Sequence, residues 1–286
     1  MRRANLDATG HSRKPAGTKG RSRVMFPSTV HRSPARLRYL PRTMPFKFLL
    51  AITSLFAGGV ASVVGFGIGS LLTPTLALET GTKLAVAAVA IPHFVGSLQR
   101  FWLLRSHVDR RVLLGFGIAS AAGGLAGALL HTRVSNRGLA VVFGVLLVLA
   151  GVSELSGWIQ RVHWGRRAAW IAGALSGGFG GLVGNQGGIR SAAMLGFDVP
   201  RTSFVATATA IALFVDAARL PVYLATQWRE VLSLWPSLII TTVGVVIGTA
   251  FGTRVLGRIP ERLFRRIIAV FLLGLGFYMV VAGGTA

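Results

Sequence analysis

Two glycine-rich stretches interrupt apolar segments of this chain, and they constrain its fold more than any other feature. The first glycine stretch runs from Gly58 to Gly69 and is followed by Pro74, and the second runs from Gly177 to Gly188. A shift of 119 positions superimposes the two without a gap. Because glycine is unfavourable inside a helix, we predict a break in the backbone at each stretch. The positions that are identical under this shift are Gly58, Gly59, Val64, Gly65, Gly69 and Leu76, which match Gly177, Gly178, Val183, Gly184, Gly188 and Leu195.

The composition places both breaks in a membrane. The chain is 52% hydrophobic and 14% charged, whereas about a quarter of the residues are charged in an average soluble domain. Apolar runs of about 20 residues, long enough to span a bilayer, recur from residue 46 to the end. They lack the alternating pattern of a membrane β-barrel, so they must satisfy their backbone hydrogen bonds as helices. We therefore predict an all-α integral membrane protein.

The same pattern of segments occurs twice. Each copy contains one glycine-broken hairpin followed by three predicted transmembrane helices, and a basic linker at 161–167 separates the copies. Further identities at shifts of 120 and 121 extend the repeat beyond the glycines, including Thr82 with Thr202 and Gly123 with Gly244. We predict a membrane domain at 44–286 with repeat 1 at about 46–155 and repeat 2 at about 168–283. The predicted helices are 46–64, 68–78, 84–104, 112–131, 138–155, 168–183, 188–197, 203–225, 231–253 and 263–283.

The basic residues predict that the two copies are inverted. If all segments were simple spans, these residues would divide almost evenly between the two sides. If each broken segment instead returns to the side that it entered from, an odd number of true spans inverts the second copy. One side then receives twelve basic residues and the other five, and the richer side should be cytoplasmic. The twelve are Arg105, Arg110, Arg111, Arg161, Arg166, Arg167, Arg201, Arg254, Arg258, Arg262, Arg265 and Arg266; the five are Lys47, Lys83, Arg133, Arg137 and Arg229.

Residues 1–43 differ from the rest of the chain. They hold eleven basic residues against one acid, Asp7, and show no apolar periodicity. Two interpretations stay open: a basic disordered tail, or a start assigned too early, with translation beginning at Met44. We favour the second, because Met44 leads straight into an apolar helix and the inverted topology places both chain ends outside the cytoplasm.

Several other classes of protein are disfavoured. The chain has no cysteine, so disulfides and thiolate metal sites are excluded. No phosphate-binding Gly-Lys-Ser/Thr motif, no Gly-x-Ser-x-Gly motif and no metal-ligand spacing of histidines occurs, so we expect no enzyme activity, cofactor or metal. The net charge of +23 would suggest nucleic acid in a soluble protein. Most of the arginines flank apolar segments, however, so we expect a lipid bilayer and no nucleic acid as partner.

The two breaks are the candidate substrate site. Repeats with broken helices are typical of secondary transporters, whose substrate binds near the membrane midplane. The half-helices that leave the breaks would point free N–H groups at the membrane centre, which suits an anion. Glycine also permits close helix packing, and we prefer that explanation for Gly123, Gly127, Gly244 and Gly248. The candidate substrate-binding glycines are Gly65, Gly67, Gly69, Gly184, Gly187 and Gly188.

Polar side chains make the second break the richer one. Asn185 and Gln186 stand where repeat 1 has Phe66 and Gly67, and their amides can bind a solute or cap loose backbone. Arg190 follows four residues after Gln186, and an arginine inside a span is a functional candidate because it is costly there. The other explanation is that Arg190 extends toward the lipid headgroups.

Three further polar residues are candidates for anion binding or coupling. Asp216 and Arg219 stand three apart on one predicted helix and can form an ion pair. Such a pair can be structural; alternatively, Arg219 helps to bind an anion and Asp216 takes up a coupling proton. His93, which follows Pro92, is a candidate proton relay, although a lone buried histidine is more often structural.

The glycine pattern from Gly58 to Pro74 and its echo from Gly177 to Gly188 resemble the TauE/SafE sulfite exporters and related anion permeases. The resemblance covers nearly all of the chain after Met44 and includes the plan of two copies. The shared motif is dominated by glycine. The second stretch departs from the first at Asn185-Gln186 and at Ala193, which stands opposite Pro74. It implies a multi-pass protein of the bacterial inner membrane that moves sulfite, sulfonates or related organosulfur anions.

Together these observations predict a transporter of small anions that works by alternating access around the two breaks. An anion channel is the first alternative, because helix ends and Arg190 would serve a pore equally well. A membrane assembly factor that transports nothing is the second. The sequence leaves the oligomeric state open.

Overall fold

The computed structural model describes residues 44–157, 166–185, 187–194, 200–256 and 260–285. Within these residues the chain is helical throughout and contains no strand, which confirms the predicted fold class. The predicted tail at 1–43 and residues 161–165 of the predicted linker (161–167) lie outside the described residues. The helices are α1 (Met44–Val64), α2 (Ile68–Thr80), α3 (Thr82–Leu104), α4 (Arg110–Arg133), α5 (Asn136–Ser156), α6 (Arg166–Val183), α7 (Gly187–Met194), α8 (Arg201–Ser233), α9 (Trp235–Leu256) and α10 (Glu261–Thr285).

Most helices begin and end within a few residues of their predicted positions, and α8 contains a kink. The sequence predicted that this helix ends at 225 and that the next begins at 231. In the structure the backbone of α8 is non-helical at Gln227, with φ −138° and ψ 23°, so two helical segments meet there at a kink. The predicted end at 225 therefore lies two residues before the kink, and a short helical segment that the sequence did not predict continues from it to Ser233.

Within the described parts of the chain, six helices are long and apolar enough to cross a membrane: α1, α3, α4, α5, α8 and α9. Large apolar side chains such as Phe48, Leu149, Phe251 and Phe277 are exposed on the outer faces of the helices. Exposed apolar patches of this extent are not typical of soluble proteins, whereas lipid covers them in a membrane. By contrast, α2 is buried along Ile68–Leu76, as expected of a helix that is enclosed by others. The chain is a multi-pass membrane protein.

Both predicted breaks are present. The first break (65–67) separates α1 from α2, and the second break, of which residues 184 and 185 are described, separates α6 from α7. Gly65 and Gly184, which are 119 positions apart, have φ angles of 87° and 76°. Glycine adopts this left-handed conformation without the steric penalty that a Cβ imposes. The first residue of each break therefore has the same backbone conformation in the two copies.

Glycines of α9 allow it to pack closely against α1. A Cβ on Gly244 would overlap the side chain of Ser54, and a Cβ on Gly248 would lie 3.0 Å from the backbone nitrogen of Gly59. Along this contact the residue numbers of both helices increase in the same direction, so α1 and α9 run parallel. These contacts confirm the packing interpretation for both glycines of α9.

The equivalent pair, α4 and α6, packs in the same way. A Cβ on Gly123 would lie 2.9 Å from the carbonyl carbon of Ala174, and a Cβ on Gly127 would lie 2.9 Å from the backbone nitrogen of Leu182. These two helices also run parallel, and the packing interpretation is confirmed here too. The helix pair α1/α9 therefore has its counterpart in α6/α4, with the roles of the copies exchanged.

Equivalent helices that touch each other run in opposite directions. In the pair α5/α10, Gly144 lies against Val280 and Gly151 lies against Ala269. Residue numbers therefore increase along α5 in the direction in which they decrease along α10. In the pair α3/α8, residue 93 of α3 contacts residue 216 of α8. Beyond the end of α3, residue 109 contacts residue 207. Both pairs are antiparallel.

Candidate functional site

The two breaks, one from each copy, are in direct contact. The side chain of Phe66 lies against Gly187, and a Cβ on Gly69 would overlap the carbonyl oxygen of Gly184. Ser70 donates a hydrogen bond from Oγ to Oδ1 of Asn185, over 3.2 Å. Residues about 115 positions apart in sequence therefore form one site.

The predicted glycines lie at or beside the amino ends of two helices. Gly67 directly precedes α2 and Gly69 is in its first turn, whereas Gly187 and Gly188 begin α7. The first N–H groups of a helix have no partner within the helix and carry partial positive charge. Both amino ends therefore face the contact between the breaks. Gln186 lies outside the described residues, so its predicted role stays a prediction.

Arg190, predicted as an anion ligand, is buried at this contact. It lies on α7, and its side chain is among the largest that are fully buried, with the residue 1% exposed. Nη2 donates a long hydrogen bond of 3.4 Å to the carbonyl oxygen of Gly65. Nε and Nη1 have no hydrogen-bond partner within the described part of the chain. Arg190 is therefore not extended toward the headgroups, and two of its donor nitrogens are available.

Arg100 on α3 is a second buried guanidinium, and it was not among the residues predicted from the sequence. It is 3% exposed, and Nη2 donates to Oγ of Ser97 over 3.1 Å. Nε and Nη1 again lack partners among the described residues. Arg100 lies one turn after Gly96 on the same face of α3, and a Cβ on Gly96 would lie 3.1 Å from the side chain of Ile68 at the start of α2. This face of α3 therefore packs against α2 beside the first break. The rule that singled out Arg190, an arginine inside a predicted span, would also have found Arg100.

The predicted pair of Asp216 and Arg219 is confirmed, and His93 joins it. Arg219 donates from Nε to Oδ1 of Asp216 over 2.9 Å, and its Nη2 lies 2.8 Å from the same oxygen. His93 Nδ1 lies 2.6 Å from Oδ2 of Asp216. All three residues are buried. Because His93 is on α3 and Asp216 is on α8, this cluster links the two copies.

Side chains also cap the carboxyl end of α6, where the second break begins. The three successive carbonyl oxygens at 180–182 accept hydrogen bonds from Arg219 Nη1, the hydroxyl of Tyr223 and Nδ1 of His131. The last carbonyls of a helix have no partner within it, and a cation near that end is favourable. Arg219 thus holds the second break in place. Tyr223 was not among the residues predicted from the sequence, although it shares a helix face with Asp216 and Arg219.

The buried charged residues of the candidate site carry excess positive charge. The topology prediction assigned every Lys and Arg after Met44 to one side of the membrane or the other, except Arg100, Arg190 and Arg219. All three are buried. Among the described residues of this site, Asp216 supplies the one carboxylate, and Arg219 is its arginine partner. With His93 neutral, two positive charges remain without a counter-ion. Such an arrangement suits an anion.

The fold and this site define a multi-pass helical membrane protein in which two broken helices meet beside buried cations. A family model described as "Sulfite exporter TauE/SafE" matches residues 50–279. The chain therefore belongs to the TauE/SafE sulfite exporter family, a family of membrane transporters, and the resemblance noted in the sequence is confirmed. No curated protein and no solved structure matched the chain.

Proposed function

We propose that this protein moves a small anion, namely sulfite, a sulfonate or a related organosulfur anion, across the bacterial inner membrane by alternating access. The observation that carries the proposal is Arg190, a buried guanidinium with two unpartnered nitrogens at the contact between the breaks. An isolated buried charge is costly. An anion bound at this position would satisfy both the charge and the free donors.

The directions of the packed helices support an inverted repeat. Equivalent helices α3 and α8 are antiparallel, and so are α5 and α10. Two copies related in this way can exchange roles, so that the site opens first to one side of the membrane and then to the other. The burial of Arg190 favours this mechanism over an open channel, because a conducting pore would expose the guanidinium to water.

The cluster of Asp216, His93 and Arg219 suits coupling to a proton gradient. Asp216 links α3 to α8 through His93, so a proton taken up there would weaken a contact between the copies. We expect Asp216→Asn to remove the dependence of flux on an imposed pH gradient. Flux per folded protein should be measured in proteoliposomes with and without that gradient. A variant that keeps the wild-type dependence would make the cluster structural.

The proposed function is tested by sulfite uptake into proteoliposomes. We expect saturable, gradient-coupled uptake by the wild type. Arg190→Ala should lower the rate more than about tenfold, equivalent to about 1.4 kcal/mol or more of lost anion interaction. Arg133→Ala is the matched control, because Arg133 is exposed at a helix end and should leave uptake unchanged.

Three outcomes would contradict this proposal. Flux that rises linearly with concentration would indicate a channel. Absence of uptake for sulfite and for a panel of sulfonates, from protein that is monodisperse and inserted, would favour an assembly factor. Normal uptake by the Arg190→Ala variant would remove Arg190 from the site.

A further inference from the structure

We propose that Arg100 and Arg190 together bind one doubly charged oxyanion, so that the site selects dianions over monoanions. This inference rests on the proposed function and deepens it, because it gives the charge of the substrate and adds Arg100 as a ligand. Each copy contributes one guanidinium: Arg100 comes from α3 of repeat 1 and Arg190 comes from α7 of repeat 2.

The first argument is the count of charge. Oδ1 of Asp216 accepts from Arg219 and Oδ2 contacts His93, so the carboxylate of the cluster is already engaged. Arg100 and Arg190 have no ion-pair partner among the described residues, although both are almost completely buried. Uncompensated buried charge costs several kcal/mol per ion. One dianion compensates both charges, whereas a monoanion leaves one of them.

The second argument is the supply of donors. Nε and Nη1 of both arginines are buried and unpartnered in the described structure, which gives four donor nitrogens. Guanidinium groups bind oxyanions through paired N–H donors, and such charge-assisted hydrogen bonds are stronger than neutral ones. Buried donors without partners are uncommon in native proteins. The amino end of α7, which carries Arg190 just after its first turn, adds partial positive charge at the same place.

The two arginines occupy different positions in the two repeats. Leu71 stands opposite Arg190, and Leu220 stands opposite Arg100, so the two cations are not copies of one structural residue. Both nevertheless belong to elements that meet at the first break: Arg190 donates to the carbonyl oxygen of Gly65, and Arg100 lies one turn after Gly96, which packs against Ile68 at the start of α2. A ligand bound between the two guanidinium groups would offset their like charges.

The test compares two tetrahedral anions that differ in charge. Sulfate and methanesulfonate should be titrated into the purified full-length protein by calorimetry. We expect sulfate to bind at least about tenfold more tightly. In Arg100→Gln this preference should fall to less than about threefold, because affinity for sulfate drops and affinity for methanesulfonate changes little. Arg100→Lys, which keeps the charge, should retain most of the preference, and Arg133→Gln is the control.

The outcomes separate this inference from the proposed function. Equal binding of the two anions by the wild type, together with normal sulfite uptake, would overturn the dianion inference and leave the transport proposal standing. An unchanged preference in Arg100→Gln would remove Arg100 from the site. No binding of either anion, together with no uptake, would overturn both. If Arg100→Gln does not fold, loss of the preference in folded Arg100→Lys would also contradict the inference.

Discussion

Asp216→Ala should destabilise the folded protein by about 3–5 kcal/mol, the cost of removing one partner of a buried ion pair. Asp216 is completely buried and holds Arg219 and His93 at once. Without the carboxylate, Arg219 keeps its contact with the carboxyl end of α6 but loses its counter-ion. Thermal unfolding in detergent, followed by the fraction of protein that stays monodisperse, measures this loss.

A double variant separates the charge from the shape of the side chain. Asp216→Ala combined with Arg219→Leu removes both charges, so it should recover a large part of the stability lost in the single variant. Arg219→Leu also removes a cap from α6, so recovery should be incomplete. Equal stability of Asp216→Ala and the wild type would show that the ion pair contributes nothing to folding. A double variant less stable than either single variant would contradict the charge argument.

Gly177→Ala should destabilise the packing of α4 against α6, whereas Gly178→Ala should not. A Cβ on Gly177 would overlap the backbone of Ser120, and backbone atoms cannot move aside as a flexible side chain can. Overpacking of this kind costs about 1–3 kcal/mol. A Cβ on Gly178 would lie 3.8 Å from the carbonyl oxygen of Gly123, which is an ordinary contact.

The two glycines are neighbours on one helix, so each variant controls for the other. Alanine has the same helix propensity at both positions and improves on glycine by about 1 kcal/mol. Only the contact with α4 differs. Thermal unfolding in detergent should therefore place Gly177→Ala about 1–3 kcal/mol below Gly178→Ala, and Gly178→Ala should lie at or slightly above the wild type. Equal stability of the two variants would contradict the described rotation of α6 against α4.

Much of the fold could be predicted because its determinants are local. Hydropathy identifies spans over about 20 residues, and the two breaks follow from glycines that lie close together in sequence. The pair of Asp216 and Arg219 is also local, since three positions place two side chains on one helix face. The predicted end at 225 falls two residues before the kink at Gln227, but the short helical segment from there to Ser233 was missed, because hydropathy reports where an apolar segment ends and not whether helix resumes after it.

The site was only partly predictable. Arg190 was found because an arginine in an apolar segment is conspicuous, and Arg100 could have been found by the same rule. The caps from Tyr223 and His131 carried no comparable signal, because both residue types are common at membrane edges and in buried structural roles. Nothing local indicates that either side chain would reach the carboxyl end of α6.

The sequence by itself determined that this is a duplicated helical membrane protein with two broken hairpins, because hydropathy, glycine spacing and internal identity are properties of the chain. Only the tertiary structure decided which distant groups meet: Ser70 with Asn185, His93 with Asp216, and Gly65 with Arg190. The physical reason is that helix spacing fixes the neighbours within one helix. The rotation and direction of packed helices fix the neighbours between helices, and those depend on the whole fold at once.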